Sequence, residues 1–335
     1  MAGAAGPGKA AKYTGAMRKL PALLLACSLA GCSVISIDLS PRIRPLEEET
    51  VEGHGDAKIL IMDISGFLSD ESPTSTLTIG TPPPRVPLLV RVREELRKAA
   101  DDPKVRALIV RINSPGGTVT ASDIVYRELS EFRRTRRIPI VASMMDVAAS
   151  GGYYIALAAD TIVAHPTTVT GSIGVIMISV NAEGLLDKIG VATSAIKSGP
   201  RKDMGSPFRQ LTPEERAIFQ SVIDDLYRQF VAKVVERRKI APDVAASLAD
   251  GRIYTADQAL GHKLVDRIGY IPDALEAARS AAGLSEARVV VYHRPREYRA
   301  TYYARAEADA ATFGGFSQLA TLLGAGPRLL YLWLP

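Results

Sequence analysis

Three short stretches could supply an oxyanion donor, a nucleophile and a base, in that order along the chain. The first is Asn113-Ser114-Pro115-Gly116-Gly117. Consecutive glycines leave backbone N–H groups unshielded by a Cβ, a geometry able to hold a developing alkoxide. Pro-Gly-Gly is also ordinary turn chemistry, and alone it reads as a turn. The second stretch, Ala148 to Ala156, sets Ser150 beside Gly151 and Gly152. A serine at a strand-to-helix turn can present its Oγ next to the unpaired N–H groups of the helix start, or it can simply cap that helix. The third is Lys197-Ser198-Gly199-Pro200-Arg201-Lys202-Asp203. A lysine acts as a general base only if its pKa falls from about 10.4 toward 7, a change of about 4–5 kcal/mol. Apolar burial and a neighbouring cation such as Arg201 favour that fall, and a close Asp203 carboxylate would oppose it. An isolated lysine is otherwise a solvated surface charge. Of the four histidines, His54, His165, His262 and His293, only His165 is near Ser150 in sequence, so a Ser150–His165 pair stays open at this level.

These stretches need a frame to hold them. Lys58 to Ile64, Ala107 to Ile112 and Ile138 to Ala142 are short apolar runs of the kind found in buried strands. Pro87 to Ala100 and Ser122 to Thr135 carry helical periodicity. The alternation predicts an α/β domain with largely parallel pairing. Thr212-Pro213-Glu214-Glu215 is a capping box with proline at the first helical position, opening a helix that runs to about Arg238. Thr255-Ala256-Asp257-Gln258 is a second, opening a short helix. No repeat of 20–50 residues interrupts this pattern.

Composition narrows the function classes. The 335 residues are 47% hydrophobic and 23% charged, enough to bury a sizeable core. A net charge of +5, spread along the chain, argues for no nucleic-acid partner. The one dense basic cluster, Arg133, Arg134, Arg136 and Arg137, stands at a predicted helix end and reads as a solvated terminus. Two cysteines make neither a disulfide scaffold nor a cysteine-based metal site.

Met17-Arg18-Lys19 followed by the apolar run Leu20 to Ala30 has the pattern of a secretory signal. The run spans roughly 16 Å as a helix, about half a bilayer core. It ends in Leu29-Ala30-Gly31-Cys32, which resembles the lipobox of bacterial lipoproteins. That resemblance implies acylation of Cys32, cleavage just before it, and loss of Cys27 with the leader. Residues 1–16 read as an extension ahead of the leader or as a start codon placed too early. Residues 32–56, with Pro41, Pro45 and Glu47-Glu48-Glu49, read as a solvated tether between lipid and domain. The catalytic domain is expected over 57–290. The segment 291–335 is expected to pack on that domain or to form an interface.

Read in order, Ser-Pro-Gly-Gly at 114–117, Asp146 to Tyr154, Thr170-Gly171-Ser172-Ile173-Gly174-Val175 and Ser198-Gly199 through Lys202-Asp203 together resemble the signal peptide peptidase A (SppA) family. Asp250-Gly251-Arg252-Ile253-Tyr254-Thr255, Leu264-Val265-Asp266 and Leu330-Tyr331-Leu332-Trp333 extend the match over about residues 57 to 335, in the short, single-repeat form. The resemblance implies a Clp/crotonase-like α/β fold of repeated strand-strand-helix units that assembles into a ring. It implies a serine–lysine peptidase with Ser150 as nucleophile and Lys202 as general base, brought together from adjacent subunits. Backbone N–H groups at Gly117 and Gly151 would hold the oxyanion. Substrates would be apolar peptides, chiefly residual signal peptides, with no metal or other cofactor. With Cys32 as anchor, the enzyme would sit in the bacterial cell envelope with its catalytic domain outside the cytoplasm. Met145 departs from the family's usual glycine there. Two competing readings are a crotonase-type acyl-CoA enzyme, whose fold also holds an oxyanion with backbone amides, and an inactive envelope scaffold.

Overall fold

The apolar runs form the centre of a sheet whose two faces are both covered. The computed structural model describes Gly3 and residues 44–70, 86–295, 301–303 and 328–334. The chain divides into two compact units, Met1–Arg42 and Ile43–Pro335, and all described residues but Gly3 belong to the second. The leader and Cys32 therefore lie outside the described residues.

The first half of the domain runs β1 (Glu47–Glu52), β2 (Lys58–Ser65), α1 (Leu88–Asp101), β3 (Val105–Ser114), β4 (Gly116–Thr118), α2 (Val119–Arg136), β5 (Ile140–Ala149), α3 (Gly151–Ala156), β6 (Thr161–Ala164), β7 (Val169–Gly171) and β8 (Ile176–Met177). The second runs α4 (Glu183–Lys188), α5 (Pro213–Arg238), α6 (Pro242–Leu248), β9 (Ile253–Thr255), α7 (Ala256–Gly261), β10 (Arg267–Ile268), α8 (Ile271–Ala281), β11 (Arg288–His293) and β12 (Leu329–Leu332).

Nine strands form the main sheet, in the order β1-β11-β2-β3-β5-β6-β10, with β7 pairing β5 and β9 pairing β7. The pairs from β11 through β10 are parallel, as near-continuous apolar runs require. Alternate residues of β2 face opposite ways. Leu60, Met62 and Ile64 join Val92, Leu96, Val125 and Leu129 on one face. Ile59 and Ile61 join Ile271, Ala274 and Leu275 of α8 on the other. A second, three-stranded sheet, β4-β12-β8, is antiparallel and stands beside the first. The run β3-β4-α2 is a strand-strand-helix unit, with its short second strand leaving the main sheet.

Both capping boxes form at the predicted places, Thr212 with Glu215 and Thr255 with Gln258. The basic cluster behaves as a helix terminus. Arg133 pairs with Asp160 at 2.9 Å, Arg134 with Glu131, and Arg136 caps the Asp102 carbonyl at 3.1 Å.

The tether expectation needs correction at its far end. Glu47–Glu52 is not solvated coil but β1, pairing antiparallel with β11. Acidic side chains suit an outermost strand, where charge blocks further strand addition. One of them, Glu48, also takes the Lys58 ammonium at 2.6 Å. In the C-terminal segment, β12 packs inside the domain, with Leu330 and Tyr331 fully buried.

Candidate active site

Ser150 stands where β5 stops and α3 begins. Its φ of 51° and ψ of −113° lie outside the regions open to L-residues without strain. Two backbone bonds fix this turn: Ser150 N–H donates to Gly171 O at 2.7 Å, and Tyr154 N–H donates to Ser150 O at 2.8 Å. The side chain does not cap the helix. Its Oγ is buried and has no hydrogen-bond partner among the described residues, so the capping reading fails. A strained, buried serine with an unused hydroxyl is the arrangement expected of a group kept for a substrate.

The strand that leads into this turn is irregular. β3 and β5 pair at Ile112↔Met144 and again at Ser114↔Ala148, so β5 carries two extra residues across this gap. Asn113 Oδ1 accepts from Val147 N–H at 3.1 Å, and the Thr170 hydroxyl donates to Ala148 O at 2.6 Å. The Asn113 side chain thus satisfies a backbone group that the β3 ladder leaves over at the bulge. Met145 lies in this bulge with an ordinary negative φ and packs with Tyr302 against the α8 face of the sheet. Where a glycine was expected, the backbone demands none.

The glycine stretch abuts the serine turn. Gly116 has φ 104°, and a Cβ there would lie 1.9 Å from Tyr331 O and 2.8 Å from Gly151 N. A Cβ on Gly151 would lie 2.4 Å from Ser122 Oγ. Only glycine permits so close an approach. Ser114 Oγ donates to Gly66 O at 2.6 Å and accepts from Gly116 N–H at 3.1 Å, which fixes the turn from behind. Gly117 follows in β4, opposite Tyr331 and bridged to Leu68. Ser150, Gly117 and Gly151 are thus gathered into one locality. Tyr153 and Tyr154 pack rather than react. Tyr153 OH donates to Leu264 O and Tyr154 OH to Asp123, both at 2.9 Å, and burial pushes both phenols well above their ordinary range.

Lys202 is elsewhere. It sits on a long arm between β8 and α5 in which, from Ile176 to Gln210, only Gly205 is buried. Its side chain is exposed and makes no hydrogen bond or ion pair among the described residues. Within one chain Ser150 and Lys202 therefore make no hydrogen bond to each other. Asp203, which could have opposed a neutral lysine, is turned elsewhere. Its carboxylate accepts from Arg209 at 2.8 and 3.0 Å and from Lys197 at 2.7 Å. These bonds, Arg209 first, hold it well below the usual carboxylate range.

His165 does not serve Ser150. Its backbone N–H bonds Met144 O, six residues before the serine. Its Nδ1 meets Thr167 Oγ1 at 2.9 Å, and its ring packs edge-on against Tyr270. Among the described residues no group of three His, Cys, Asp or Glu side chains could hold a metal ion. No described helix is long and apolar enough to cross a membrane.

Residues 132–285 match the family model for peptidase family S49. The chain is 47% identical over 192 residues to a putative protease of Synechocystis sp., covering 57% of this chain and 69% of that one. It is 35% identical over 255 residues to a putative signal peptide peptidase SppA of Enterococcus faecium, covering 73% of this chain and 70% of that one. The chain belongs to peptidase family S49. A ClpP1 mutant from Listeria monocytogenes aligns with TM-score 0.41 at 16% identity, over 64% of this chain and 94% of that one.

As an S49 member the protein is a peptidase with the Clp/crotonase-like α/β fold, and the acyl-CoA reading falls away. Two features around these candidate residues were missed in the sequence. Ser122, fully buried on α2, backs Gly151 while donating to Thr118 O at 2.9 Å, and a serine inside a helix carries no local mark of that role. The other is Arg209, whose partners lie six residues away on either side.

Proposed function

We propose that this chain is a membrane-anchored serine endopeptidase that hydrolyses apolar peptides, such as residual signal peptides, with a Ser150–Lys202 dyad. The observation that carries the reading is the pairing of incompletions. Among the described residues the Ser150 Oγ, buried in a strained turn, has no partner, and the Lys202 ammonium, on an exposed arm, has none either. A homo-oligomeric ring in which the arm of one subunit reaches the serine of the next completes both. The arm also leaves Leu185, Ile189, Val191, Ile196 and Phe208 exposed, an apolar surface of the kind that a second copy covers.

In the reaction, the neutral Lys202 amine takes the Ser150 Oγ proton as Oγ attacks the peptide carbonyl carbon. The carbonyl oxygen becomes an oxyanion held by the N–H groups of Gly117 and Gly151. Collapse breaks the C–N bond, and the Lys202 ammonium gives its proton to the leaving amine. Water, deprotonated by the same lysine, then hydrolyses the acyl ester and restores Ser150. Cys32, lipidated, would hold the enzyme in the bacterial cell envelope with its catalytic domain outside the cytoplasm. The unused hydroxyl of Ser150 favours this reading over an inactive scaffold.

The test is cleavage of a quenched-fluorescent apolar peptide by the parent, Ser150→Ala, Lys202→Ala and an equimolar mixture of the two variants. Both variants are expected to be inactive and the mixture to regain part of the activity. Near-full activity of Lys202→Ala would refute the dyad. A mixture as inert as its components would refute the sharing between subunits.

A further inference from the structure

The Lys202 side chain has no hydrogen bond or ion pair among the described residues to aim it, yet its backbone N–H donates to Gly199 O at 3.2 Å and the residues flanking it are firmly held. The Arg209 guanidinium grips Asp203 through Nε to Oδ2 at 3.0 Å and Nη2 to Oδ1 at 2.8 Å, and also meets the Asp203 carbonyl at 3.2 Å. The same fork binds Glu215 through Nη1 to Oε2 at 2.9 Å and Nη2 to Oε1 at 2.6 Å. Glu215 is only 4% exposed and belongs to the capping box that starts α5. Lys197 closes the turn from the other side, donating to Asp203 Oδ1 at 2.7 Å and to Pro200 O at 3.3 Å. The residue next to Lys202 is therefore bolted to a 26-residue helix, within an arm that is otherwise exposed.

We propose that Arg209 is the positioning residue for Lys202: by clamping Asp203 onto Glu215 it fixes where the lysine stands and turns the adjacent carboxylate away from the lysine amine. The proposal rests on the Ser150–Lys202 reading above. A planar fork that engages two carboxylates at once orients them, which a single-point ammonium cannot do. Misplacing a proton-transfer group by about 1 Å costs on the order of 100-fold in rate. Arg209→Gln is therefore expected to lower kcat by about that factor with KM little changed, because Ser150 and the glycine strand are untouched. Arg209→Lys should recover only a small part.

Complementation in mixed rings of the full chain tests the assignment. Arg209→Gln mixed with Ser150→Ala should regain activity, since some interfaces then join an intact Ser150 to a correctly clamped Lys202. Arg209→Gln mixed with Lys202→Ala should stay at the level of Arg209→Gln alone. Recovery in the second mixture, or none in the first while Ser150→Ala and Lys202→Ala still complement each other, would overturn the proposal. Failure of that last control would instead sink the shared dyad and leave the kcat of Arg209→Gln as the separate readout. If Arg209→Gln does not assemble, Asp203→Asn replaces it with the same expected pattern. Failure of both to fold would make the network a folding element and overturn the proposal as well.

Discussion

The ring of Tyr331 stacks on that of Tyr154, with centroids 5.3 Å apart and planes 30° from parallel. Tyr154 lies one turn beyond Ser150, and Tyr331 belongs to the last strand, which pairs with the glycine strand β4. Phe230 of α5 completes the cluster, 4.7 Å from Tyr331 and 5.0 Å from Tyr154. The C-terminal strand is thereby locked to α3, the helix that follows Ser150, on one side and to the glycine strand β4 on the other.

Tyr331→Ala removes this lock. Truncating a buried aromatic costs about 3–5 kcal/mol, and here the loss also frees β12 from β4. Chemical denaturation should register that destabilisation, together with a sharp fall in peptide cleavage. Tyr331→Phe loses only the hydroxyl bond to Leu226 O, 3.0 Å long, and should cost about 1 kcal/mol with activity kept. Equal effects from the two variants would contradict the packing account.

Gly116→Ala should be far more damaging than its one added methyl suggests. The Cβ would fall 1.9 Å from a backbone oxygen, at a φ of 104°. Either β12 or the Gly151 turn must move, and the proposed oxyanion donors move with it. Loss of one such donor lowers kcat by about 100- to 1000-fold. Gly261→Ala, at a position with nothing within 4 Å, is the control and should behave as the parent. Parent-like cleavage by Gly116→Ala would show that the strand is not part of the machinery.

Much of this was legible in the sequence because local rules carried it. The runs at Lys58, Ala107 and Ile138 had to be buried strands, and both capping boxes named helix starts by side-chain chemistry alone. Ser150 between Ala149 and Gly151 announced a tight turn. What escaped was settled by distant partners. β1 hides in Glu47-Glu48-Glu49 because an outer strand needs no apolar alternation once β11 supplies its ladder. β12 is short, and its meaning comes from β4, about 200 residues earlier. The Arg209 fork joins groups that no periodicity links. Lys202 was named from its motif, but within one chain it makes no hydrogen bond to Ser150.

Ser150→Gly and Ser150→Ala should separate strain from chemistry. Both remove the proposed nucleophile, so neither should cleave peptide. Alanine keeps a Cβ at a φ of 51°, whereas glycine adopts that backbone freely. Strained positions of this kind cost about 1–3 kcal/mol, so Ser150→Gly should unfold at higher denaturant concentration than Ser150→Ala. Equal midpoints would mean that the turn stores no strain.

Acid should loosen the Lys202 arm before it unfolds the core. The folded-state pKa of Asp203 is depressed, chiefly by Arg209 and then by Lys197. The unfolded chain therefore binds this proton more readily, with an ordinary value near 3.9. Stability from the clamp is complete above that pH and drains away as pH falls below about 4 toward the folded-state value. Backbone hydrogen exchange between Lys197 and Thr212 should lose protection over that window while β3 and β5 keep theirs. Asp203→Asn, which has no proton to gain at that position, should show an arm already loosened at neutral pH and a smaller further loss on acidification, the remainder coming from Glu215, whose carboxyl Arg209 also holds below its ordinary range. An arm whose protection falls only together with the core would refute the role of the Asp203–Arg209 pair in holding it.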